Sequence, residues 1–223
     1  MIARELAIKG LDVDIIEKKS HVAGNCFTKI DSVTGIMEHV YGPHIFNTSN
    51  ELVWKYINKF DEMMPFINRV KCSIPKGVFS FPINLHTINQ FFDKNFSPNE
   101  AEVFIDKIRN KRITNPKNFE EQALQFVGKE LYEAFFKDYT IKQWGCHPTE
   151  LPASILKRIP IRFNYDDNYY NKKFQAIPKN GYTKIIKNIL DHKKIHLSLK
   201  TPWKETMINE YDHIFYSGPI DEY

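Results

Sequence analysis

The sequence has little of what marks a secreted, membrane or zinc-binding protein. Its 223 residues include only three cysteines, Cys26, Cys72 and Cys146, which lie far apart and in no paired spacing. That spacing argues against a disulfide framework and against a zinc module. No run of 18 apolar residues is present, so we predict no membrane span. The simplest expectation is a reduced, cytoplasmic protein that holds no metal.

Charge of one sign is also scarce, whereas aromatic residues are abundant. The 31 Lys and Arg against 27 Asp and Glu give a net charge of +4, without a dense basic stripe. This mild charge suits an anionic ligand and argues against a nucleic-acid-binding module. The 17 Phe, 11 Tyr and three Trp are too many for a disordered chain. The length allows one large domain or two small ones with a sizeable core.

The first 17 residues predict the second half of a βαβ unit. Apolar residues at 2, 3, 6 and 7 share one helical face, and Gly10 suits the position after the helix. A short β-branched strand follows and ends in Glu17. In dinucleotide-binding folds an acid at this point holds a ribose hydroxyl, and a glycine-rich loop precedes the helix. We therefore expect the chain to begin inside an element; the alternative is that Glu17 merely ends a surface strand.

The rest of the chain predicts a helical block between two α/β pieces. Residues 69–82 alternate around Pro75-Lys76-Gly77, as in a β-hairpin. Helix start and stop signals recur between 86 and 158. After strand-like segments in 161–180, the α/β pattern returns. The local signals are a Thr48-x-x-Glu51 capping box, N-caps at Ser97 and Asn118, a helix over 129–144 closed by Gly145, a helix from Gly181 to Leu190, and strands at Ile195–Leu199 and His213–Tyr216.

Several segments, in order along the whole chain, resemble the flavin-dependent UDP-galactopyranose mutases. They are Ile16-Glu17-Lys18 with Ala23-Gly24-Asn25, Tyr41-Gly42-Pro43-His44-Ile45-Phe46, Phe81-Pro82-Ile83-Asn84, Tyr139-Thr140-Ile141-Lys142-Gln143-Trp144-Gly145, Arg158-Ile159-Pro160-Ile161-Arg162-Phe163, Gly181-Tyr182-Thr183-Lys184, and Tyr216-Ser217-Gly218-Pro219-Ile220-Asp221. The resemblance also implies that the chain is an internal fragment, without the family's N-terminal glycine-rich loop and its C-terminal part.

The resemblance implies an α/β fold: an incomplete Rossmann-type FAD-binding domain, an inserted helical domain and a small antiparallel sheet. The expected segments are 1–48 for the first part of the FAD-binding domain, 49–85 for the first part of the sheet domain, 86–158 for the helical domain, 159–180 for the second part of the sheet domain, and 181–223 for the second part of the FAD-binding domain.

The family reaction interconverts UDP-galactopyranose and UDP-galactofuranose, for galactofuranose-containing cell-surface glycans. The resemblance implies UDP-galactose as substrate, a homodimer, and reduced FAD whose N5 forms an adduct with the sugar. Chemistry of this kind lies on the cofactor. It therefore explains why no Ser-His-Asp set, metal cluster or carboxylate pair stands out in the sequence.

The resemblance also assigns residues to the cofactor. Glu17 matches the residue that binds the adenosine ribose, and His44 matches a histidine beside the flavin. The family usually has two glycines before Asn25, whereas this chain has Ala23 and Gly24, and alanine tolerates a positive φ poorly. The implied cofactor-binding residues are Glu17, Gly24, Asn25, His44 and Gly218.

A second set is implied for the substrate. Arg162 matches an arginine that contacts the diphosphate, and with His44 it forms the implied catalytic pair. Thr140 and Trp144 are four residues apart, on one helical face. Phe174 replaces a common tyrosine, which removes one hydrogen bond of about 1 kcal/mol. The implied substrate-binding residues are Asn84, Tyr139, Thr140, Trp144, Arg162 and Phe174, with Phe135 and Phe136 divided between packing and uridine contact.

Two alternatives remain open at this point. One is a truncated, non-enzymatic remnant, and the other is an FAD-dependent oxidoreductase of the amine-oxidase-like class. The FAD pyrophosphate needs a glycine loop at a helix N-terminus. Because that loop is not in the sequence, we expect the chain to bind FAD weakly or not at all.

Overall fold

The computed structural model of the chain describes residues 1–158 and 161–222 and divides it into two compact units. Unit 1 comprises Met1–Phe66 and Lys172–Tyr223, and unit 2 comprises Ile67–Asn171. The five-segment division stays a prediction. Ile159 and Pro160, which belong to one of the family-like segments, lie outside the described residues.

Helices and strands alternate at both ends of the described chain, and helices dominate its middle. The helices are α1 (Ile2–Ile8), α2 (Glu51–Ile57), α3 (Leu85–Phe92), α4 (Pro98–Ile108), α5 (Phe119–Val127), α6 (Lys129–Tyr132), α7 (Asp138–Trp144) and α8 (Tyr182–Leu190). The strands are β1 (Val13–Glu17), β2 (Thr28–Ile30), β3 (Met37–His39), β4 (Phe46–Thr48), β5 (Met63–Pro65), β6 (Val70–Ile74), β7 (Gly77–Phe81), β8 (Phe174–Pro178) and β9 (Ile195–Leu199).

A parallel strand pair joins the two sequence pieces of unit 1. β1 pairs with β9 in register from Val13↔Ile195 to Glu17↔Leu199. α1 packs against both strands and against α8. The Arg4 guanidinium of α1 donates to the carbonyl oxygens of Ile189 and Asp191, at the C-terminal end of α8 where a cation is favoured. The predicted strand at Ile195–Leu199 and the helix ending at Leu190 are confirmed.

The rest of unit 1 is antiparallel. β8 lies between β4 and β5, and β2 pairs with β3. The β2–β3 hairpin is attached to α8 through two threonines: the Thr28 N–H donates to Thr183 Oγ1 (2.8 Å), and Thr183 Oγ1 donates to the Thr28 carbonyl (2.7 Å). The buried apolar cluster of this unit is small and comprises Met63, Ala176, Ile185 and Ile189.

Unit 2 is a helical unit with one hairpin. β6 and β7 pair around Pro75 and Lys76, as predicted. Ser97 caps α4 in a full capping box with Glu100, and Asn118 caps α5. One π-helical turn, Glu133–Lys137, interrupts the predicted long helix, which ends at Gly145 with φ 69°. A single apolar cluster buries side chains from β7, α3, α4, α5, α6 and the π turn.

Three predictions of local structure are wrong or only partly right. α2 is capped by Asn50, whose side chain accepts from the N–H groups of Leu52 and Val53, because Thr48 lies in β4. In the described part of 161–180 only Phe174–Pro178 forms a strand. His213–Tyr216 is not a strand either, because among the described residues no neighbouring strand pairs with it.

Candidate functional site

Glu17 lies at the carboxyl end of the parallel pair, the end at which open α/β sheets bind ligands. Its carboxylate accepts from the Lys19 N–H at 2.8 Å, and its carbonyl accepts from the Thr201 N–H at 3.0 Å. The Lys19 carbonyl in turn accepts from the Lys200 N–H at 2.9 Å. Both strand ends are thus fixed together around a partly buried carboxylate.

The loop after Glu17 contains two consecutive residues with left-handed backbone. Ala23 has φ 74° and Gly24 has φ 52°. The space around Gly24 is open, since a Cβ built there meets nothing within 4 Å. Asn25 is exposed, and its Oδ1 accepts from Lys19 Nζ at 2.9 Å. Ala23 therefore keeps a conformation that is costly for a residue with a side chain.

Side chains that the sequence analysis did not single out line this loop. Lys19 Nζ lies 4.2 Å from the ring centroid of Tyr41, and the Tyr41 hydroxyl is 2.9 Å from His21 Nε2. The His21 ring stacks on Phe27 with centroids 3.9 Å apart. An adjoining cleft of about 500 Å³ is lined by His21, Phe27, α8 and β9. In the sequence, these side chains could have been found from the group of polar and aromatic residues that follows Glu17, the acid at the end of β1.

His44 lies in the turn that follows β3. Its Nδ1 is 2.9 Å from the Gly42 carbonyl, and its backbone N–H donates to His39 Nδ1 at 3.2 Å. Because a carbonyl only accepts, Nδ1 of His44 carries a proton and Nε2 is the acceptor of the neutral ring. Burial, together with the nearby His44, lowers the pKa of His39.

The other two predicted residues of unit 1 lie elsewhere in it. Phe174 begins β8 and stacks on Trp54, with the ring centroids 4.8 Å apart and the planes 4° from parallel. Gly218 is exposed, and a Cβ there would lie 2.5 Å from the Tyr216 hydroxyl. Gly218 therefore provides room for the Tyr216 side chain.

Three of the residues predicted to bind substrate lie on α7 in unit 2. Tyr139 is 66% exposed and Trp144 is 54% exposed, whereas Thr140 is 3% exposed. Thr140 and Trp144 thus differ in environment despite their four-residue spacing. Phe135 and Phe136, in the π turn that precedes α7, are both buried in the core of the unit.

Asn84 is fully buried at the N-terminus of α3. Its Oδ1 accepts from the Thr87 N–H at 3.0 Å, which caps the helix. Its Nδ2 has no hydrogen-bond partner among the described residues. Leaving such a donor unpaired costs about 1–3 kcal/mol, so an acceptor at this point would be stabilising.

Arg162 is held against the loop that follows it. Its side chain is 12% exposed, and Nη1 donates to the carbonyls of Asp166 (3.1 Å) and Asn168 and lies 3.3 Å from the Asp166 carboxylate. Its backbone N–H donates to the Ile83 carbonyl, next to Asn84. The guanidinium is therefore pre-ordered by its own chain segment.

The predicted residues fall into two groups. The residues assigned to the cofactor all lie in unit 1; they are Glu17, Gly24, Asn25, His44 and Gly218. Of the residues assigned to the substrate, Phe174 lies in unit 1 and the others lie in unit 2. Within residues 1–158 and 161–222, no group of three or more His, Cys, Asp or Glu is placed to hold a metal ion. No helix in that part of the chain has the length and apolar character needed to cross a bilayer.

Comparisons with known proteins find matches at both ends of this chain. A family model described as an NAD(P)-binding Rossmann-like domain matches residues 1–60, and one described as UDP-galactopyranose mutase matches residues 134–223. A crystal structure of reduced UDP-galactopyranose mutase has a similar fold. Its TM-score is 0.63 with 15% identity, over 87% of this chain and 44% of that one.

Curated relatives extend the match over the full chain. A probable UDP-galactopyranose mutase of Klebsiella pneumoniae is 56% identical over all 223 residues, which are 58% of its length. The dTDP-fucopyranose mutase of Escherichia coli is 46% identical over 100% of this chain and 60% of its own. The UDP-galactopyranose mutase of Mycoplasma pneumoniae is 28% identical over 99% of this chain and 56% of its own. The chain thus spans less than two thirds of the length of these relatives.

The fold and the matches to residues 1–60 define a Rossmann-type α/β protein of the nucleotide-cofactor-binding class. Within that class the chain is similar to UDP-galactopyranose mutases: residues 134–223 match the model of that family, and the probable mutase of Klebsiella pneumoniae is 56% identical over the whole chain.

Proposed function

We propose that the protein catalyses the interconversion of UDP-galactopyranose and UDP-galactofuranose with FAD as cofactor, and thereby supplies galactofuranose for cell-surface glycans. The observation that carries this proposal is the 56% identity to the Klebsiella relative across the whole chain. Homodimer formation and a cytoplasmic location belong to the same proposal and rest on the family resemblance.

The residues of unit 1 fit the adenosine side of FAD. The Glu17 carboxylate, at the carboxyl end of β1, is a suitable acceptor for a ribose hydroxyl. The open space at Gly24 allows a ligand to approach the backbone closely. Gly218 and Asn25 are further candidates for cofactor contact. Reduced FAD, when bound, supplies the nucleophile for the anomeric carbon.

His44 is proposed to act beside the flavin ring. With Nδ1 directed to the Gly42 carbonyl, the Nε2 atom accepts a hydrogen bond in the neutral ring and donates one in the protonated ring. His44 would thus hold a proton at Nε2 in one of its two charge states.

The residues of unit 2 fit a sugar nucleotide. The exposed rings of Tyr139 and Trp144 offer stacking surfaces for a base. Arg162 is pre-ordered through Nη1, so that Nε and Nη2 are the donors we assign to the diphosphate. The buried Nδ2 of Asn84, which has no partner in the described part of the chain, would donate to a ligand oxygen.

The two remaining residues assigned to the substrate, Thr140 and Phe174, offer a ligand fewer polar contacts. Thr140 is 3% exposed, so we propose that it supports α7 and contacts ligand only through its hydroxyl. Phe174 offers a ring stacked on Trp54 but no hydroxyl for the diphosphate. Both assignments rest on the family resemblance.

Turnover of UDP-galactofuranose by the 223-residue chain, with excess FAD and dithionite, tests the proposal. Arg162→Lys should lower kcat/KM by about 10- to 100-fold, the range of one lost charge-assisted hydrogen bond. The matched control Arg112→Lys changes an exposed arginine of the same unit and should leave the rate unchanged.

Two outcomes would redirect the proposal. Binding of both FAD and UDP without any turnover favours the non-enzymatic alternative. Because one relative is a dTDP-fucopyranose mutase, dTDP-fucofuranose is assayed in parallel. Faster conversion of that substrate would replace galactose by fucose in the proposal and retain the mutase reaction.

A further inference from the structure

The turn that presents His44 is tied to the end of β3 by one side chain. The His44 N–H donates to His39 Nδ1 at 3.2 Å, and the Gly42 N–H donates to the His39 carbonyl at 3.2 Å. His39 itself is fixed in the β2–β3 hairpin opposite Thr28. The first of these bonds is made by the side chain of His39 and the second by its backbone, so only the His44 end of the turn depends on the side chain.

The direction of the first hydrogen bond sets the protonation state of His39. A backbone N–H only donates, so His39 Nδ1 must accept and carry no proton. The neutral His39 ring is therefore protonated at Nε2. A second proton would occupy Nδ1 and remove the acceptor of the His44 N–H.

The surroundings of His39 favour its neutral form. The ring is partly buried and packs edge-on against Tyr182, at the N-terminus of α8, with the centroids 5.7 Å apart. On the turn side it faces His44. Lys29 and Glu38 form an ion pair at the hairpin position next to Thr28 and His39. Their side chains therefore lie on the face of the hairpin opposite to the His39 side chain. A helix N-terminus and a second imidazole both disfavour a cation here.

We propose that His39 is a positioning residue that holds the His44 end of the Gly42–His44 turn in place through its unprotonated Nδ1, and that protonation of His39 releases this end of the turn. The inference rests on the proposed function in one respect, the placement of His44 beside the flavin. The link between His39 and the turn stands on the hydrogen bonds alone.

The sign of the pH dependence follows from the surroundings. Burial, and then His44, lowers the pKa of His39 from its ordinary 6.5. A histidine whose folded pKa is depressed stabilises the folded state fully above the unfolded pKa. This stabilisation is lost as the pH falls from about 6.5 through the lower folded value. The His44 end of the turn is thus held at neutral pH and released when the pH falls far enough to protonate His39.

Two substitutions separate the acceptor from the titration. His39→Asn keeps an acceptor oxygen near the position of Nδ1 but cannot be protonated in this range. His39→Phe keeps an aromatic ring against Tyr182 and removes the acceptor. Amide hydrogen exchange measured by NMR, corrected for intrinsic rates, reports the protection of the His44 N–H in each variant at pH 7 and pH 5.

Protection of the wild-type His44 amide should fall between pH 7 and pH 5, and by about five- to tenfold once the His39 ring is fully protonated, the range of one neutral hydrogen bond. The His39 ¹⁵N signals should report the same protonation. In His39→Asn protection should be independent of pH, and in His39→Phe it should be low at both values. The Leu52 amide, which donates to Asn50 Oδ1 at 2.9 Å in the same unit, is the control and should not change.

The outcomes that overturn the inference are distinct from those that test the proposed function. Wild-type protection that does not change with pH, or a His39→Asn variant that loses protection in acid as the wild type does, would overturn it. FAD titrations of the same variants test the flavin separately. If His44 protection follows His39 but FAD affinity is the same in all variants and at both pH values, the placement of His44 beside the flavin is wrong and the His39 link stands.

Discussion

Each of the two units of the chain is stabilised internally in a different way. Unit 2 buries fifteen apolar residues of the described chain in one cluster, whereas the corresponding cluster of unit 1 has four. Unit 1 relies instead on hydrogen bonds between residues far apart in sequence, such as Thr28 and Thr183. Unit 2 therefore depends on the packing of neighbouring helices, and unit 1 on individual polar contacts.

This difference bears on the proposed function. Asn84 and Arg162 lie in the well-packed unit, and both are ordered by hydrogen bonds within it. Glu17 and His44 lie in the unit with the small core, at strand ends and turns. Conditions that loosen unit 1 should therefore affect the cofactor-side residues before the substrate-side residues.

The largest effect is expected from a cavity in unit 2. Ile88 is 0% exposed, so Ile88→Ala should lower the free energy of unfolding by about 2–5 kcal/mol. Ile67→Ala makes the same change at a 50% exposed position and should cost only about 0.5 kcal/mol. Urea unfolding followed by circular dichroism measures both. Equal losses would show that the cluster does not dominate the stability of unit 2.

The next effect is expected where α8 of unit 1 begins. In Gly181→Ala the new Cβ would lie 2.4 Å from Thr28 Oγ1 and 2.8 Å from Met37 Sδ, with φ at 80°. Strain and overpacking together should cost about 3 kcal/mol. Gly10→Ala also has a positive φ, 95°, but an open surrounding, and should cost about 1 kcal/mol. Thermal unfolding that fails to separate the two variants would contradict the close packing at Gly181.

The threonine pair gives a smaller change. Thr183→Val keeps the shape but leaves the Thr28 N–H without its acceptor, which should cost about 1–3 kcal/mol. Thr206→Val, at an exposed position of the same unit, is the control. Hydrogen exchange of the β2–β3 amides should accelerate only in the first variant. Unchanged exchange there would mean that the hairpin does not need α8.

The smallest change should be stabilising. Ala23→Gly relieves the left-handed φ of 74° and should raise the free energy of unfolding by up to about 1 kcal/mol. Ala3→Gly, inside α1, should lower it by about the same amount, because glycine weakens a helix interior. If the free energy of unfolding in urea rises in Ala23→Gly and falls in Ala3→Gly, the left-handed backbone at Ala23 is supported. A lower free energy of unfolding in both variants contradicts it.

The sequence predicts the locally determined parts of this structure well. The Ser97–Glu100 capping box, the left-handed Gly145 and the strand Ile195–Leu199 all follow from short-range chemistry. The prediction at Thr48 is wrong because two candidate caps lie two residues apart, and strand pairing decided between them. His213–Tyr216 has strand-like residues, but a strand also needs a partner, which local sequence does not specify.

In the candidate site too, some features follow from local sequence and others do not. Glu17 was predictable because its position follows from the strand that it ends. The contact between Thr28 and Thr183 joins residues 155 positions apart, so no local pattern indicates it. His39 is close to His44 in sequence, yet its role depends on which ring nitrogen accepts, a property of turn geometry rather than of spacing.

We assign the cofactor to residues of unit 1 and the sugar nucleotide, Phe174 apart, to residues of unit 2. Titration of the ¹⁵N-labelled chain with FAD and with UDP, followed by two-dimensional NMR, tests this assignment and also detects weak binding. We expect FAD to shift amides at Glu17–Asn25 and Gly42–His44, and UDP to shift those of Asn84, Arg162 and α7. Shifts from UDP confined to unit 1, or shifts from FAD confined to unit 2, would contradict this assignment.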